Sequence, residues 1–319
     1  MTAAQAGALT GIHHVTAIAG DPQANVAFYT GALGMRLVKR TVNQDAPDTY
    51  HLFYRDALGH PGTELTFFAR PGARRGREGA GQAVAVALAI PPDAMGYWLR
   101  RLSDLNVGHR GPHRRLDEDV IALSDHDGML LELVAGPDTG RRSPWMPWEQ
   151  GPVPAEFQIR GVHAVSVREA SPDRTAAFLM DLMGFHALQK EGERRRFATG
   201  TGGSGALLDI LPATPRRDGT VAVGSIHHVA WRTPTSETHR RWHEALGAAG
   251  VPASAIIDRF WFRSLYFHEP GGVLFEIATD GPGFTADEEP SALGTRLVLP
   301  PWLEPQRALI EGALPAIRS

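Results

Sequence analysis

The chain has 319 residues, long for a single core, and its 32 Lys and Arg against 35 Asp and Glu leave a formal net charge of −3, which favours two domains and argues against nucleic acid or an anionic membrane as a partner. It contains no cysteine, so disulfides, thiolate nucleophiles and Cys-ligated zinc are excluded, and any metal must be held by His and carboxylate. No apolar run approaches the roughly 18 residues of a membrane span, and the opening MTAAQAGALTG lacks the basic start and apolar core of a leader, so a cytoplasmic protein is expected.

In chain order, GIHHVTA (11–17) predicts a strand. A helix follows, with Asp21 as its cap, Pro22 in first position, Val26, Tyr29 and Leu33 on one face and Gly31 and Gly34 to stop it. The run TYHLFYRDALGHPGTELTFFA adds two β-rich segments around a turn at GHPG, completing a βαβββ unit over 11–69. A second, degenerate unit runs over about 82–135: AVAVALAI, a Pro-Pro-Asp helix start, then DHDGMLLELVAG. The third, about 160–213, opens with RGVHAVSV and ends with GALLDILPA. The fourth, about 224–280, repeats the opening phrase as SIHHVAW (225–231), continues into a helix from Ser236, and closes with SLYFHEPGGVLFEIAT. Between units, Arg70–Gly81 reads as a solvated basic loop, and the Gly- and Pro-rich stretch 136–156 as the domain boundary, giving an N-terminal domain 1–150 and a C-terminal domain 151–319. The tail RLVLPPWLEPQRALIEGAL reads as a strap with a short helix.

Laid on one another, the units put Glu276, Glu132, Asp209 and Thr66 at one position of the last strand. They put His14, His228 and Ala164 at one position of the first, where the second unit has an apolar residue. Adjacent strand residues face opposite ways, so one His of each HH pair is expected to point inward. The third unit keeps His163 beside His13 and His227 but replaces the next His by Ala164, which marks His14 and His228 as the site positions. If the fourth unit pairs with the first, His14, His228 and Glu276 converge: two imidazoles and a carboxylate with the remaining coordination positions open, the ligand set of non-haem Fe(II) oxygenases, which Mn(II) also suits. His51 and His163 read as hydrogen-bonded structural residues, Glu132 and Asp209 as vestigial or structural. His239 and His243 lie four apart on a helix without an HExxH motif, and read as solvated or stacking.

The phrases GIHHVTAIAGDPQANVAFYTGALGMRLVKRTVNQDAPDTYHLFY, GHPGTELTFF, GSIHHVAW, GGVLFEIATDGPGF and LPPWLEPQR resemble the vicinal-oxygen-chelate superfamily (glyoxalase, bleomycin-resistance and dioxygenase proteins), and within it the hydroquinone-type ring-cleaving dioxygenases. The resemblance covers most of the chain. It implies an α+β fold of four βαβββ units in two similar domains, with the metal in a cup of mixed β-sheet, and Fe(II) held by His14, His228 and Glu276. It also implies His13, Thr16, His227, Arg259 and Tyr266 around a bound substrate, with Arg263 the alternative cation should the register differ.

The expected function is Fe(II)-dependent extradiol-type cleavage of a hydroquinone or related phenol, dioxygen being inserted beside a ring hydroxyl. His227 or Tyr266 would take the phenol proton, Arg259 would stabilise negative charge and Tyr266 would act as acid. No organic cofactor is needed, and the expected partners are a small aromatic substrate and dioxygen, with homo-oligomerisation left open. The rivals are catechol extradiol cleavage, glyoxalase-type metal isomerase or transferase chemistry, and a non-catalytic quinone- or metal-binding protein.

Overall fold

The computed structural model describes residues 6–140, 145–213 and 219–318; of the connection read at 136–156, residues 141–144 lie outside the described residues. All four units are present. The first comprises β1 (Ile12–Ala19), α1 (Pro22–Val26), β2 (Arg36–Asn43), β3 (Ala46–Arg55) and β4 (Glu64–Ala69). The second comprises β5 (Gln82–Ala89), α2 (Met95–Asp104), β6 (His109–Arg115), β7 (Glu118–Ser124) and β8 (Leu130–Ala135). The third has β9 (Gly161–Glu169), α3 (Pro172–Asp181), β10 (His186–Glu191), β11 (Arg194–Ala198) and β12 (Leu207–Pro212). The fourth has β13 (Ile226–Thr233), α4 (Ser236–Ala248), β14 (Ile257–Asp258), β15 (Arg263–His268) and β16 (Leu274–Thr279).

Local chemistry explains the helix boundaries. The Asp21 carboxylate accepts from the Ala24 N–H at 2.8 Å, α1 loosens into a π-helical turn over Ala27–Ala32, and Gly34 takes the left-handed conformation (φ +66°) that releases the chain into β2. Thr235 and Thr238 form a reciprocal cap at the start of α4. That helix buries Trp242 and also His239, whose Nε2 lies 2.9 Å from the Ile277 carbonyl. His239 thus fastens helix to sheet instead of being solvated or stacked, while His243 is exposed.

The strands form two mixed eight-stranded sheets, in the orders β14-β15-β16-β13-β1-β4-β3-β2 and β10-β11-β12-β9-β5-β8-β7-β6. Within a unit the first and last strands run parallel; between units the first strands run antiparallel, β1 on β13 and β5 on β9. The sheets therefore join unit one to unit four and unit two to unit three. A division at 150/151 separates units two and three, which share a sheet. Chain order orders the units, but edge pairing of first strands decides which of them meet.

The last-strand register is that read from the repeat: Ala230 pairs with Glu276, Ser166 with Asp209, Ala87 with Glu132 and Thr16 with Thr66. The first strands depart from simple alternation. Ile12 faces Trp231 and His14 faces Ala230, leaving His13 as an extra residue; Thr16 faces His228 and Ala17 faces Ile226, leaving His227 extra. The same irregularity falls at His163, between Ala87–Ala164 and Leu88–Val162. Each bulge twists the strand and re-aims the neighbouring side chain.

In the sheet of units two and three, arginines occupy the cup. Arg115 donates to both Glu132 oxygens at 2.6 and 2.7 Å, and Asp209 accepts from Arg196 at 2.8 and 2.9 Å and from Arg194 at 2.7 Å. His163 Nε2 lies 2.7 Å from Glu118 and its Nδ1 3.0 Å from the Ser204 hydroxyl, a structural pairing as expected. Guanidinium groups thus compensate Glu132 and Asp209.

The tail covers the free edge of β2. Val298 N–H donates to the Arg40 carbonyl at 2.9 Å, and Leu299, Leu303 and Ile310, the last on α5 (Arg307–Ala313), pack on Val42. The approach requires glycine at 294, where φ is +75° and a Cβ would stand 1.9 Å from the Leu37 carbonyl oxygen. Gly294→Ala is expected to cost about 1–3 kcal/mol by displacing the strap. Urea unfolding measures this, and an unchanged midpoint would show that the strap adds nothing to stability. No helix among the described residues is long and apolar enough to cross a membrane.

Candidate metal centre

The central pair β1 and β13 brings His14 and His228 from opposite ends of the chain to within hydrogen-bonding distance, their Nε2 atoms 3.2 Å apart. Glu276, on β16 beside β13, places Oε2 3.3 Å from His14 Nε2 and 3.0 Å from His228 Nε2. Three donors bound at right angles to one first-row ion at about 2.1 Å stand about 3.0 Å apart, so the separations fit a single ion. All three side chains are buried. Neither Glu276 oxygen accepts a well-formed hydrogen bond, and an isolated buried carboxylate is costly unless a cation meets it.

The protonation states suit coordination. Burial pushes the Glu276 carboxyl up, but the imidazoles of His14 and His228 more than reverse this and hold it well below the usual carboxylate range. Burial lowers His14, with Glu276 opposing. A carboxylate and a neutral imidazole are the forms a metal binds.

A second ring stands behind each His. The His13 and His14 Nδ1 atoms are 2.8 Å apart, as are those of His227 and His228. Where Nε2 of His14 and His228 holds a metal, their Nδ1–H groups donate backwards, which fixes ring orientation and raises ligand basicity. The bulges make these contacts, so both rings of each pair gather at the site and strict alternation fails there. His13 Nδ1 also lies 3.8 Å from Glu64, but Glu64 is ion-paired with Arg55. His13, His14 and Glu64 could also bracket an ion; the uncompensated carboxylate favours the His14, His228 and Glu276 set.

A cavity of about 40 Å³ opens over His14 and His228. His14 and His228 form its floor, with Arg259, Tyr266, His51, Phe53, Phe68, Trp261 and Phe262 around them, and Asn43, Gln44 and Asp45 above. Arg259 donates to both Asp45 oxygens at 3.1 and 2.8 Å, and its guanidinium carbon is 5.6 Å from the centre of the Tyr266 ring. Burial, then the Glu276 charge, push the Tyr266 phenol above its ordinary value. His51, whose Nε2 is 2.9 Å from the Thr66 hydroxyl, is pushed well below the usual imidazole range by burial and then by His14 and His228.

Arg259 and Tyr266 therefore face the cavity, and Arg263 is exposed. His13, His227 and Thr16 do not line it: Thr16 is buried beside Thr66, their hydroxyls 2.8 Å apart, and His227 sits behind His228, where burial pushes it down to about 3. The residues the sequence reading missed are Asn43, Gln44, Asp45, the aromatic walls, and His51 as a cavity group. Extending the repeat alignment one strand would have pointed to two of them: Phe53 pairs with Thr66 as Tyr266 pairs with Glu276, and His51 shares the face of Phe53.

Fold and site together define a paired-βαβββ protein with a two-histidine, one-carboxylate cluster capable of holding a metal. The chain belongs to the Glyoxalase/Bleomycin resistance protein/Dioxygenase superfamily, whose family model matches residues 11–133 and 161–277. It is 40% identical over 306 residues to MhqO of Bacillus subtilis, named as a "Putative ring-cleaving dioxygenase", with 96% of each chain covered. It is 31% identical over 300 residues to the chlorohydroquinone/hydroquinone 1,2-dioxygenase of Sphingobium indicum, with 92% of each covered. A crystal structure titled as a dioxygenase ("putative dioxygenase") from Bacillus subtilis superposes with a TM-score of 0.91 at 38% identity, covering 98% of both chains. Glyoxalase I from Zea mays shares the fold, with a TM-score of 0.61 at 15% identity over 85% of this chain and 92% of that one.

Proposed function

We propose that the protein is an Fe(II)-dependent dioxygenase that cleaves the ring of a hydroquinone or related phenol beside a hydroxyl group. The observation that carries this reading is the buried His14, His228 and Glu276 cluster, whose two imidazoles form the floor of an aromatic-walled cavity, in a chain 31% identical to a protein named as a hydroquinone dioxygenase. Fe(II) held by these three residues would supply acidification of a bound phenol and a meeting place for that phenol and dioxygen.

The chain's own groups divide the remaining work. Phe53, Phe68, Trp261 and Phe262 sandwich a planar ring and exclude water. Arg259 supplies a fixed positive charge beside the reacting ring, where negative charge accumulates. Tyr266, kept protonated by burial and by Glu276, suits a proton donor and not a base. Of the imidazoles that line the cavity, His51 is the one outside the His14, His228 and Glu276 cluster, so proton acceptance is assigned to it by position instead of to His227, which lies behind His228.

Anaerobic loading with Fe(II), followed by oxygen-electrode assays on hydroquinones and catechols, tests the reading. One dioxygen consumed per hydroquinone is expected, and an iron-loaded protein that consumes none on any diol would defeat it. Tyr266→Phe is expected to lower turnover about 10²- to 10⁴-fold with iron content unchanged. Full turnover in that variant would remove Tyr266 from the chemistry.

A further inference from the structure

The cavity over His14 and His228 measures about 40 Å³. A closed pocket that accepts benzene is about 150 Å³, so an aromatic ring is not enclosed over His14 and His228 unless a wall moves. Most walls are poor candidates for movement. His14, His228, His51, Phe53, Phe68 and Tyr266 sit on hydrogen-bonded strands, and Trp261, 1% exposed, is packed with Phe284 and donates to Asp287 at 3.0 Å.

The tip of the β2–β3 hairpin differs. Val42 pairs with Tyr50 but Asn43 pairs with Ala46, so residues 47–49 form a bulge within β3 that breaks the ladder between the tip and the rest of the hairpin. The polar bonds that tie the tip to the fourth unit are those of Asp45 with Arg259 and one from Gln44 Nε2 to the Arg259 carbonyl at 2.9 Å. Asp45 is 70% exposed although Arg259 is only 13% exposed, so water screens the pair from one end and weakens it. The tip is turned by its own chemistry, Asn43 Oδ1 accepting from the Asp45 N–H at 3.0 Å, so it can move as a unit.

We propose that Asn43–Asp45 is the movable wall of the cavity and that Asp45 is a positioning residue: closing the tip clamps the Arg259 guanidinium beside Tyr266, and lifting it opens the cavity and frees that guanidinium together. Because Asp45 takes both terminal nitrogens of Arg259, the guanidinium plane is fixed only while the tip is down. The need for opening rests on the aromatic-substrate reading above; the latch itself does not.

The absence of cysteine provides a test that needs neither metal nor substrate. Phe68→Cys, or Phe53→Cys should the first variant fail to fold, places a single thiol in the cavity wall, and its labelling rate by a disulfide reagent reports opening. Adding Asp45→Asn is expected to raise that rate about two- to fivefold with an unchanged melting temperature, and Asp45→Glu to return it towards the parent rate. An unchanged rate, or a rise that merely tracks a fallen melting temperature, would overturn the proposal. In the iron-loaded enzyme with native Phe68, Asp45→Asn should lower kcat, because Arg259 is no longer held. A protein that gates as described but consumes no oxygen on any hydroquinone keeps the latch and loses the substrate reading.

Discussion

Replacing His14, His228 or Glu276 by Ala is expected to abolish ring cleavage and to remove the thermal stabilisation that Fe(II) or Mn(II) gives the parent protein. Outer partners of metal ligands are each worth roughly 10- to 100-fold in affinity or activity, so loss of a ligand should exceed that range, whereas His13→Ala and His227→Ala should fall within it. A ligand that binds only the folded state raises the melting temperature by mass action, so the shift reports binding without an activity assay. The three donors stand 3.0–3.3 Å apart and are fully buried, and among the described residues no other cluster combines that spacing with an uncompensated carboxylate. A thermal shift that survived in Glu276→Ala would place the ion elsewhere.

The second large effect lies in the other sheet. Asp209 is fully buried and accepts three hydrogen bonds from guanidinium groups, one from Arg194 and two from Arg196. Removing Asp209 leaves Arg194 without its carboxylate and the buried Arg196 with Glu118 alone, so Asp209→Asn should cost about 3–5 kcal/mol at neutral pH. Burial pushes the Asp209 carboxyl up, but Arg196 and Arg194 more than reverse this and leave it below its ordinary value. A carboxylate with a depressed folded-state pKa stabilises the fold above its unfolded value, about 3.9, and that contribution disappears as the pH falls through the lower folded value. Denaturant unfolding between pH 7 and pH 2 should therefore show a large loss for the variant at pH 7 and a gap to the parent that narrows below about pH 4. A constant gap at every pH would mean that the lost stability is not charge pairing.

Much of this architecture was legible in the sequence because the repeat supplies four readings of one position. Glu276, Asp209, Glu132 and Thr66 occupy matching ladder positions, and the single substitution Ala164 singled out His14 and His228, the two imidazoles that stand beside Glu276. What sequence spacing could not convey was the backbone irregularity. Bulges at His13 and His227 bring both rings of each pair to the site, against the strict alternation that an unbroken strand imposes. Pairing of the units across the chain was likewise decided by first-strand edges, so units two and three share one sheet although they lie on either side of the connection at 136–156. The tip residues Asn43, Gln44 and Asp45 were hidden for a related reason: they belong to the first unit but act on Arg259 of the fourth, and nothing local in TVNQDAP signals that reach. Arg259 itself comes inward through a sharp bend, Phe260 standing at φ +72° with its N–H donated to Asp258.

Equilibrium titration of the metal-free protein with Fe(II) under anaerobic conditions tests the central claim, that residues from the two ends of the chain form one metal site. The account predicts one ion per chain for the parent protein and for Glu132→Gln, and no measurable binding for His14→Ala, His228→Ala or Glu276→Ala. Retention of one ion per chain in any of these three would contradict it.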